Sequence, residues 1–170
     1  VMAGIAHQED SHGKEIIQQL REMIEKELAG IVVYLPNYNT TLAKQLTSGC
    51  DIWLNTPVVG SEACGTSGMK ACFNGALPLT TKDGWVDEVD LTDCGWIMQS
   101  DTIQQSLLAT LTDMVVPTYY AQDKAAWKQM MEHARQLAQE QFSTTRMLKD
   151  YFEKIYLPIL TISYKHNFPA

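Results

Sequence analysis

Residues Asp51–Thr80 read DIWLNTPVVGSEACGTSGMKACFNGALPLT. The stretch opens on a short apolar run, Asp51 to Leu54, and closes on another, Leu77 to Thr80. A loop, Asn55 to Glu62, follows the first run. The small residues Gly65 to Gly68 then lead into a helix to about Asn74, and Gly75 stops it. Strand, loop, helix and strand in that order make a crossover unit, and such units join parallel strands.

The same alternation continues on both sides. Upstream, Val1 to Ala6 (VMAGIA) reads as a buried strand and His7 to Gly13 as a polar loop. From Lys14 the apolar residues Ile16, Ile17, Leu20, Met23, Ile24 and Leu28 recur at helical spacing, and Gly30 is placed to end that helix as a C′ glycine. Ile31 to Leu35 (IVVYL) is a second, β-branched, buried strand. Asn39 caps a helix from Thr40 to about Ser48, with Leu42, Ala43 and Leu46 inward. Downstream, Lys82 to Trp85 (KDGW) is a turn and Trp96 to Met98 a fifth strand. Asp101 caps a helix carrying Ile103, Leu107, Leu108, Leu111 and Val115, which Pro117 closes. Two more helices follow, about Lys124 to Gln141 and about Thr144 to Leu157, the second ended by Pro158.

The expected fold is α/β: a Rossmann-like parallel sheet with helices on both faces, and the last two helices packed outside it. The expected organisation is one domain, 1–170, with an α/β core at about 1–120, packing helices at about 121–158 and a tail at 159–170 that holds His166. Sheets of this kind bind ligands at the carboxyl ends of their strands, which directs attention to the loops after strands two, three and four.

Composition narrows the function. The 170 residues are 45% hydrophobic, enough for a sizeable core, and the net charge is −7 with no basic stripe. Nucleic acid and anionic membranes are therefore poor partners. No apolar run approaches the roughly 20 residues a membrane helix needs. Val1 to His7 has neither a basic n-region nor a cleavage site, and the apolar opening is expected of a piece cut from a longer chain. Cys50, Cys64, Cys72 and Cys94 form no CxxC pair and the histidines are scattered, which argues against a disulfide framework or a metal site. Free thiols in the cytoplasm are expected, with Cys64 and Cys72 as small apolar packers.

The chemistry concentrates in Glu62 to Asn74, EACGTSGMKACFN. Gly65 and Gly68 allow close backbone approach to a ligand, and Thr66 and Ser67 add hydroxyl donors. The N–H groups at the helix start favour a phosphate. Lys70 is expected within the first turn or so, where their partial positive charge favours the neutral amine that imine formation needs. Glu62 is placed to accept hydrogen bonds from sugar hydroxyls. From the residues alone this is a phosphate-binding loop beside a reactive amine, or a glycine turn before a helix that carries an exposed lysine.

The segment resembles the cofactor-attachment signature of the α-glucan phosphorylases: Glu62, Ala63, Cys64, Gly65, Thr66, Ser67, Gly68, Met69, Lys70, and later Asn74, Gly75, Ala76. DIWLNTP (Asp51 to Pro57), DGWVDE (Asp83 to Glu88), YLPNY (Tyr34 to Tyr38) and YFEKIYLP (Tyr151 to Pro158) are similar to the shorter bacterial and archaeal branch, so the resemblance runs from about Met2 to Pro158. It implies the C-terminal part of a GT-B enzyme, with two Rossmann-like domains facing a cleft. The N-terminal domain and the basic residues for substrate phosphate lie outside this chain. The implied reaction is retaining, reversible phosphorolysis of an α-1,4-glucan by inorganic phosphate to glucose 1-phosphate. The fragment alone would be inactive.

The resemblance implies pyridoxal phosphate as cofactor, held as an imine by Lys70. Thr66, Ser67 and Gly68 would lie on the cofactor phosphate and Tyr38 near its ring. Glu62, Cys64 and Gly65 would hold glucosyl hydroxyls. Lys70 and Glu62 are thus the candidate catalytic residues, and a homodimer is an assembly that fits the family. The chain departs from the family at Gly4, Ile5, Ala6, His7 and Gln8, where Gly-Lys-Ala-x-Pro is common, at Asn39, where animal members have arginine, and at Phe73. The loss of lysine at Ile5 would weaken substrate or phosphate contacts.

Plainer readings stand beside these. Asp83, Trp85 and Glu88 fit a lined site or a capped turn over a buried tryptophan. His7 fits a loop and His133 a helix surface. The Trp127–Met130–Met131–Ala134 stripe fits a core or an interface. Two other functions remain open: the donor-binding domain of a sugar-nucleotide-dependent glycogen or starch synthase, and a noncatalytic glucan- or nucleotide-binding module. Lys70 discriminates against the first and an intact signature against the second.

Overall fold

The computed structural model describes residues 1–160. The chain divides into two compact units, Val1–Leu46 and a second beginning at Thr47. In the first, strands β1 (Met2–Ala3) and β2 (Tyr34–Leu35) pair in parallel, with Met2 opposite Tyr34. The Tyr34 hydroxyl donates to the Gly4 carbonyl at 2.5 Å and the Met2 N–H to the Val33 carbonyl at 2.8 Å. Both strands are shorter and less buried than their β-branched runs predict: Ile5 is 69% and Ile31 80% exposed. Only two residues of each run find a partner in the ladder, and much of the remainder faces solvent.

Helix α1 (Ser11–Glu27) starts three residues earlier than its apolar spacing suggests, because Asp10 accepts from the Gly13 N–H at 2.8 Å and caps it. It ends in a cap at Leu28, so Gly30, with φ +80°, belongs to the turn beyond rather than to the C′ position. Helix α2 (Thr40–Gly49) is capped as expected, the Asn39 side-chain oxygen accepting from the Leu42 N–H at 3.0 Å.

The second unit is built on a parallel sheet in the order β3 (Ile52–Asn55), β4 (Leu77–Thr81), β5 (Trp96–Met98). Helix α3 (Thr66–Phe73) makes the crossover from β3 to β4. All five residues of β4 are buried, as befits a central strand covered on both faces. Pro78 is tolerated there for a positional reason. Leu77 donates its N–H to Asp51, on the β3 side, so the alternation turns the Pro78 nitrogen toward β5. The β5 ladder begins one residue later, at Leu79 opposite Trp96, and Gly95 packs on the proline ring instead.

Beyond β5, helix α4 (Ile103–Thr110) widens into a π turn (Leu111–Val115) and continues as α5 (Val116–Tyr120). Thr102 occupies its N-cap position rather than Asp101, and the Ser106 hydroxyl accepts from the Gln99 N–H at 2.9 Å. Helix α6 (Ala125–Phe142) and helix α7 (Thr144–Tyr151) follow, and α7 passes through a second π turn (Phe152–Tyr156) into residues 157–160. Pro117 and Pro158 therefore do not end their helices as their sequence suggests. Each lies two residues beyond a π turn, whose wider ring relieves the clash with the preceding turn. His166 lies outside the described residues.

The core joins Leu77 and Leu79 of β4, Trp96 and Met98 of β5, and Cys72 of α3 to Trp127, Ala134 and Ala138 of α6. Burying each of the two leucines contributes about 1.5–3 kcal/mol. Trp127 stands edge-on to Tyr119, with centroids 4.9 Å apart, and leans on Trp96 at 6.1 Å. The stripe on α6 is thus core, and α6 packs across α3 and β4.

Candidate functional site

The site residues of the second unit lie along one continuous path, from the carboxyl end of β3 through the loop to α3. The loop is tied down at three points. The Thr81 hydroxyl donates to the Pro57 carbonyl at 2.9 Å. One Asp83 oxygen accepts from the N–H groups of Ser61 at 3.2 Å and Glu62 at 2.9 Å, while the other accepts from Gly84 at 2.9 Å. The Trp85 N–H donates to the Cys64 carbonyl at 2.9 Å.

Asp83 is buried, and the backbone N–H of Glu62, ahead of the other donors, holds its carboxyl below the usual carboxylate range against the opposing effect of burial. Gly84 (φ +58°) lies so close that a Cβ there would stand 2.7 Å from the Cys64 carbonyl oxygen. The Asp83–Trp85 segment is therefore both the capped turn over a buried tryptophan, with the 3₁₀ turn Gly84–Glu88 following Asp83, and the clamp on the Glu62 loop.

Glu62 is half-buried, and its carboxylate is held as well as its backbone. The Asn55 side-chain amide donates to Oε2 at 2.9 Å. The other oxygen, Oε1, lies over the α carbon of Gly65, in the space a Cβ there would fill. Gly65 is the N-cap of α3 with φ +78°, so glycine is required there by both conformation and space. Cys64 is exposed, not packed as expected, and the group that meets the Asp83 turn is its carbonyl, which accepts from the Trp85 backbone N–H.

Thr66, Ser67 and Gly68 form the first turn of α3. Gly68 is buried against the Trp85 ring, where a Cβ would meet Nε1 at 2.9 Å. Trp85 is in turn braced edge-on by Phe142 of α6, with centroids 5.4 Å apart. Lys70 is the fifth residue of α3, just past its first turn. Side chains on a helix tilt toward its N-terminus, and the exposed Lys70 amine accordingly reaches back to the Thr66 hydroxyl, at 3.4 Å. The Asn74 side chain donates to the Lys70 carbonyl at 2.8 Å. An accessible primary amine beside two hydroxyl residues on a helix N-terminus is a donor set that fits pyridoxal phosphate.

Tyr38 belongs to the first unit. It lies half-buried in the loop between β2 and α2. His7 is in an exposed turn, its Nδ1 accepting from the Glu9 N–H at 3.2 Å, and His133 is half-buried on α6. The four cysteines are free. Among the described residues no helix is long and apolar enough to cross a membrane. Sequence reasoning gave no role to Asn55. Its signal was its place as the last residue of a strand, seven positions before Glu62.

Comparison with known proteins identifies the family. A family model for carbohydrate phosphorylases matches residues 3–94, more than half of the chain. The chain is 35% identical to a glycogen phosphorylase of Mycobacterium tuberculosis over 93% of its length, covering 20% of that protein. It is 36% identical to a glycogen phosphorylase of Aquifex aeolicus over 94% of its length, covering 25% of the relative. It is 35% identical to a maltodextrin phosphorylase of Thermococcus litoralis over 92% of its length, covering 20%. The chain thus spans a fifth to a quarter of the length of these curated relatives, and by the family match and the signature from Glu62 to Lys70 it belongs to the carbohydrate phosphorylase family.

Proposed function

We propose that this chain is the cofactor-carrying C-terminal part of an α-glucan phosphorylase of GT-B architecture, working in the cytoplasm. The reaction is retaining phosphorolysis of an α-1,4-glucan by inorganic phosphate to give glucose 1-phosphate. The observation that carries the reading is the convergence of the Lys70 amine on Thr66, 3.4 Å away, at the start of the helix that Glu62 and Gly65 lead into.

When bound, pyridoxal phosphate supplies a phosphate group that acts as acid/base partner to the substrate phosphate. Lys70 would hold the cofactor through its amine. Thr66 and Ser67, at the α3 N-terminus, would hold its phosphate through hydroxyl and N–H donors, while Gly68, packed on the Trp85 ring, would let that first turn sit close against the Asp83–Trp85 segment. A carboxylate is acceptor-only, so Glu62 orients glucosyl hydroxyls, which are donors, together with the backbone at Cys64 and Gly65. Two phosphates held close together repel, and donors fixed before binding offset that cost without reorganisation. The cationic side chains for the substrate phosphate belong to the rest of the enzyme, so the fragment alone is inactive.

The test is made on the full-length parent protein. It is loaded with pyridoxal phosphate, reduced with borohydride and mapped by mass spectrometry. A pyridoxyl adduct on Lys70, with phosphate-dependent release of glucose 1-phosphate, is expected. A folded protein with no adduct overturns the reading and makes sugar-nucleotide binding at Glu62 the next assay.

A further inference from the structure

We propose that Asn55 is the positioning residue for Glu62: it fixes one carboxylate oxygen so that the other is presented to a glucosyl hydroxyl. The inference rests on the phosphorylase reading and deepens it. Asn55 is the last residue of β3 and pairs with Thr80 of the fully buried β4, so its backbone is set by the core. Its amide donates to Glu62 Oε2 at 2.9 Å. The Glu62 backbone is separately held through its N–H to Asp83, at 2.9 Å. Backbone and carboxylate are thus anchored to different strands' ends, and the intervening side-chain torsions have little freedom left.

The chemistry of the anchor suits the task. An amide N–H satisfies one oxygen while leaving the carboxylate charged and its second oxygen, Oε1, available above the Gly65 α carbon. A lysine at this place would neutralise the acceptor, and an acid would repel it. A hydrogen bond to a charged group of this kind is worth about 10- to 100-fold in an equilibrium constant.

The experiment uses the full-length enzyme loaded with cofactor, in the wild type and in the N55A and N55D variants. Three quantities are read: pyridoxyl content at Lys70, KM and kcat with glucose 1-phosphate, and the pH profile of kcat/KM. N55A is expected to keep wild-type cofactor content, raise KM about tenfold or more and change kcat by less than about threefold. N55D places a second carboxylate against Glu62, and the pair then shares one proton. In the singly protonated pair the introduced carboxyl can still donate to Oε2. N55D should therefore approach wild-type kcat/KM at low pH and lose it as pH rises through the pair's raised second titration, a limb absent from N55A.

A wild-type KM in N55A with full cofactor content overturns the proposal, as does a wild-type pH profile in N55D. Loss of cofactor from N55A also overturns it, because Asn55 would then support the cofactor segment rather than aim Glu62. If the wild-type enzyme itself shows neither adduct nor glucose 1-phosphate, the phosphorylase reading fails before the variants are considered.

Discussion

Glu62 and Lys70 lie eight residues apart in one loop and helix, yet they are held on opposite terms. Glu62 is fixed twice, through Asp83 at its backbone and Asn55 at its carboxylate, and its loop is pinned again at Pro57 and Cys64. Lys70 is exposed, and its amine makes one long contact, 3.4 Å, to Thr66. The side proposed to face sugar is organised in the protein alone, while the side proposed to carry the cofactor keeps an accessible amine. The division suits their proposed roles: an acceptor gains from fixed geometry, whereas a group that forms a covalent bond needs access and some reach.

The sharpest way to break this comparison is at Lys70. In the full-length enzyme Lys70→Ala should abolish the borohydride-trapped adduct and lower phosphorolysis by at least about a thousandfold, roughly 4 kcal/mol of transition-state stabilisation. Lys70→Arg should be as inactive, because a guanidinium does not form the covalent link. Thermal stability should change little in either variant without cofactor, since the side chain is exposed and its contact long. A wild-type adduct level in Lys70→Ala would move the anchor elsewhere and dissolve the contrast with Glu62.

The fixed side is tested at Gly84. A methyl group there would meet the Cys64 carbonyl at 2.7 Å, and φ is +58°. Gly84→Ala should therefore cost about 1–3 kcal/mol of stability and loosen the Glu62 loop, seen as a lower Tm and a raised KM for glucose 1-phosphate. Cofactor content should fall less than sugar affinity if the two sides are held independently. Gly68→Ala probes the seam between them. Its Cβ would press on the Trp85 ring, 2.9 Å away, and that ring is buried and braced by Phe142. A cost of about 1–2 kcal/mol is expected after subtracting the gain in helix propensity, with cofactor retention and KM both affected.

Much of this arrangement was legible in the sequence. The glycine loop, the helix it leads into, the strands at Ile52 and Leu77, and the Asn39 cap follow from spacing and local chemistry, which act within a few residues. Strand β4 was read one residue short, as Leu77 to Thr80, and the burial of Thr80 and Thr81 comes from its central place in the sheet rather than from their composition. Other features depend on what packs where. Ile31–Leu35 has the same β-branched composition as a core strand, yet Ile31 and Val33 face solvent, because burial needs a covering layer that composition cannot supply. Pro117 and Pro158 looked like helix ends, since a one-turn widening before a proline leaves no sequence mark. The clamp at Asp83 was half visible as a capped turn; its hold on Ser61 and Glu62 spans more than 20 positions and is a product of the sheet. Asn55 was quoted only as part of a motif, and its bond to Glu62 emerges once the loop is closed.

The smallest expected effect concerns the face of α3 turned away from Lys70. Burial pushes the Cys72 thiol up to about 12 and the Cys94 thiol up to about 11, from an ordinary 9.0. In the unfolded chain these thiols ionise near pH 9, while in the folded protein they stay neutral until pH 11–12. Stability from keeping them neutral is thus fully present below about pH 9 and is lost as the pH rises through the folded values. Cys72→Ala should be about 1 kcal/mol less stable than wild type at pH 7, through lost packing. That deficit should shrink toward pH 11, because the variant has no thiol at this position to ionise. Denaturant unfolding at both pH values measures the difference. A deficit that stays constant would mean that Cys72 is reached by solvent, and that α3 is as open on its inner face as it is at Lys70.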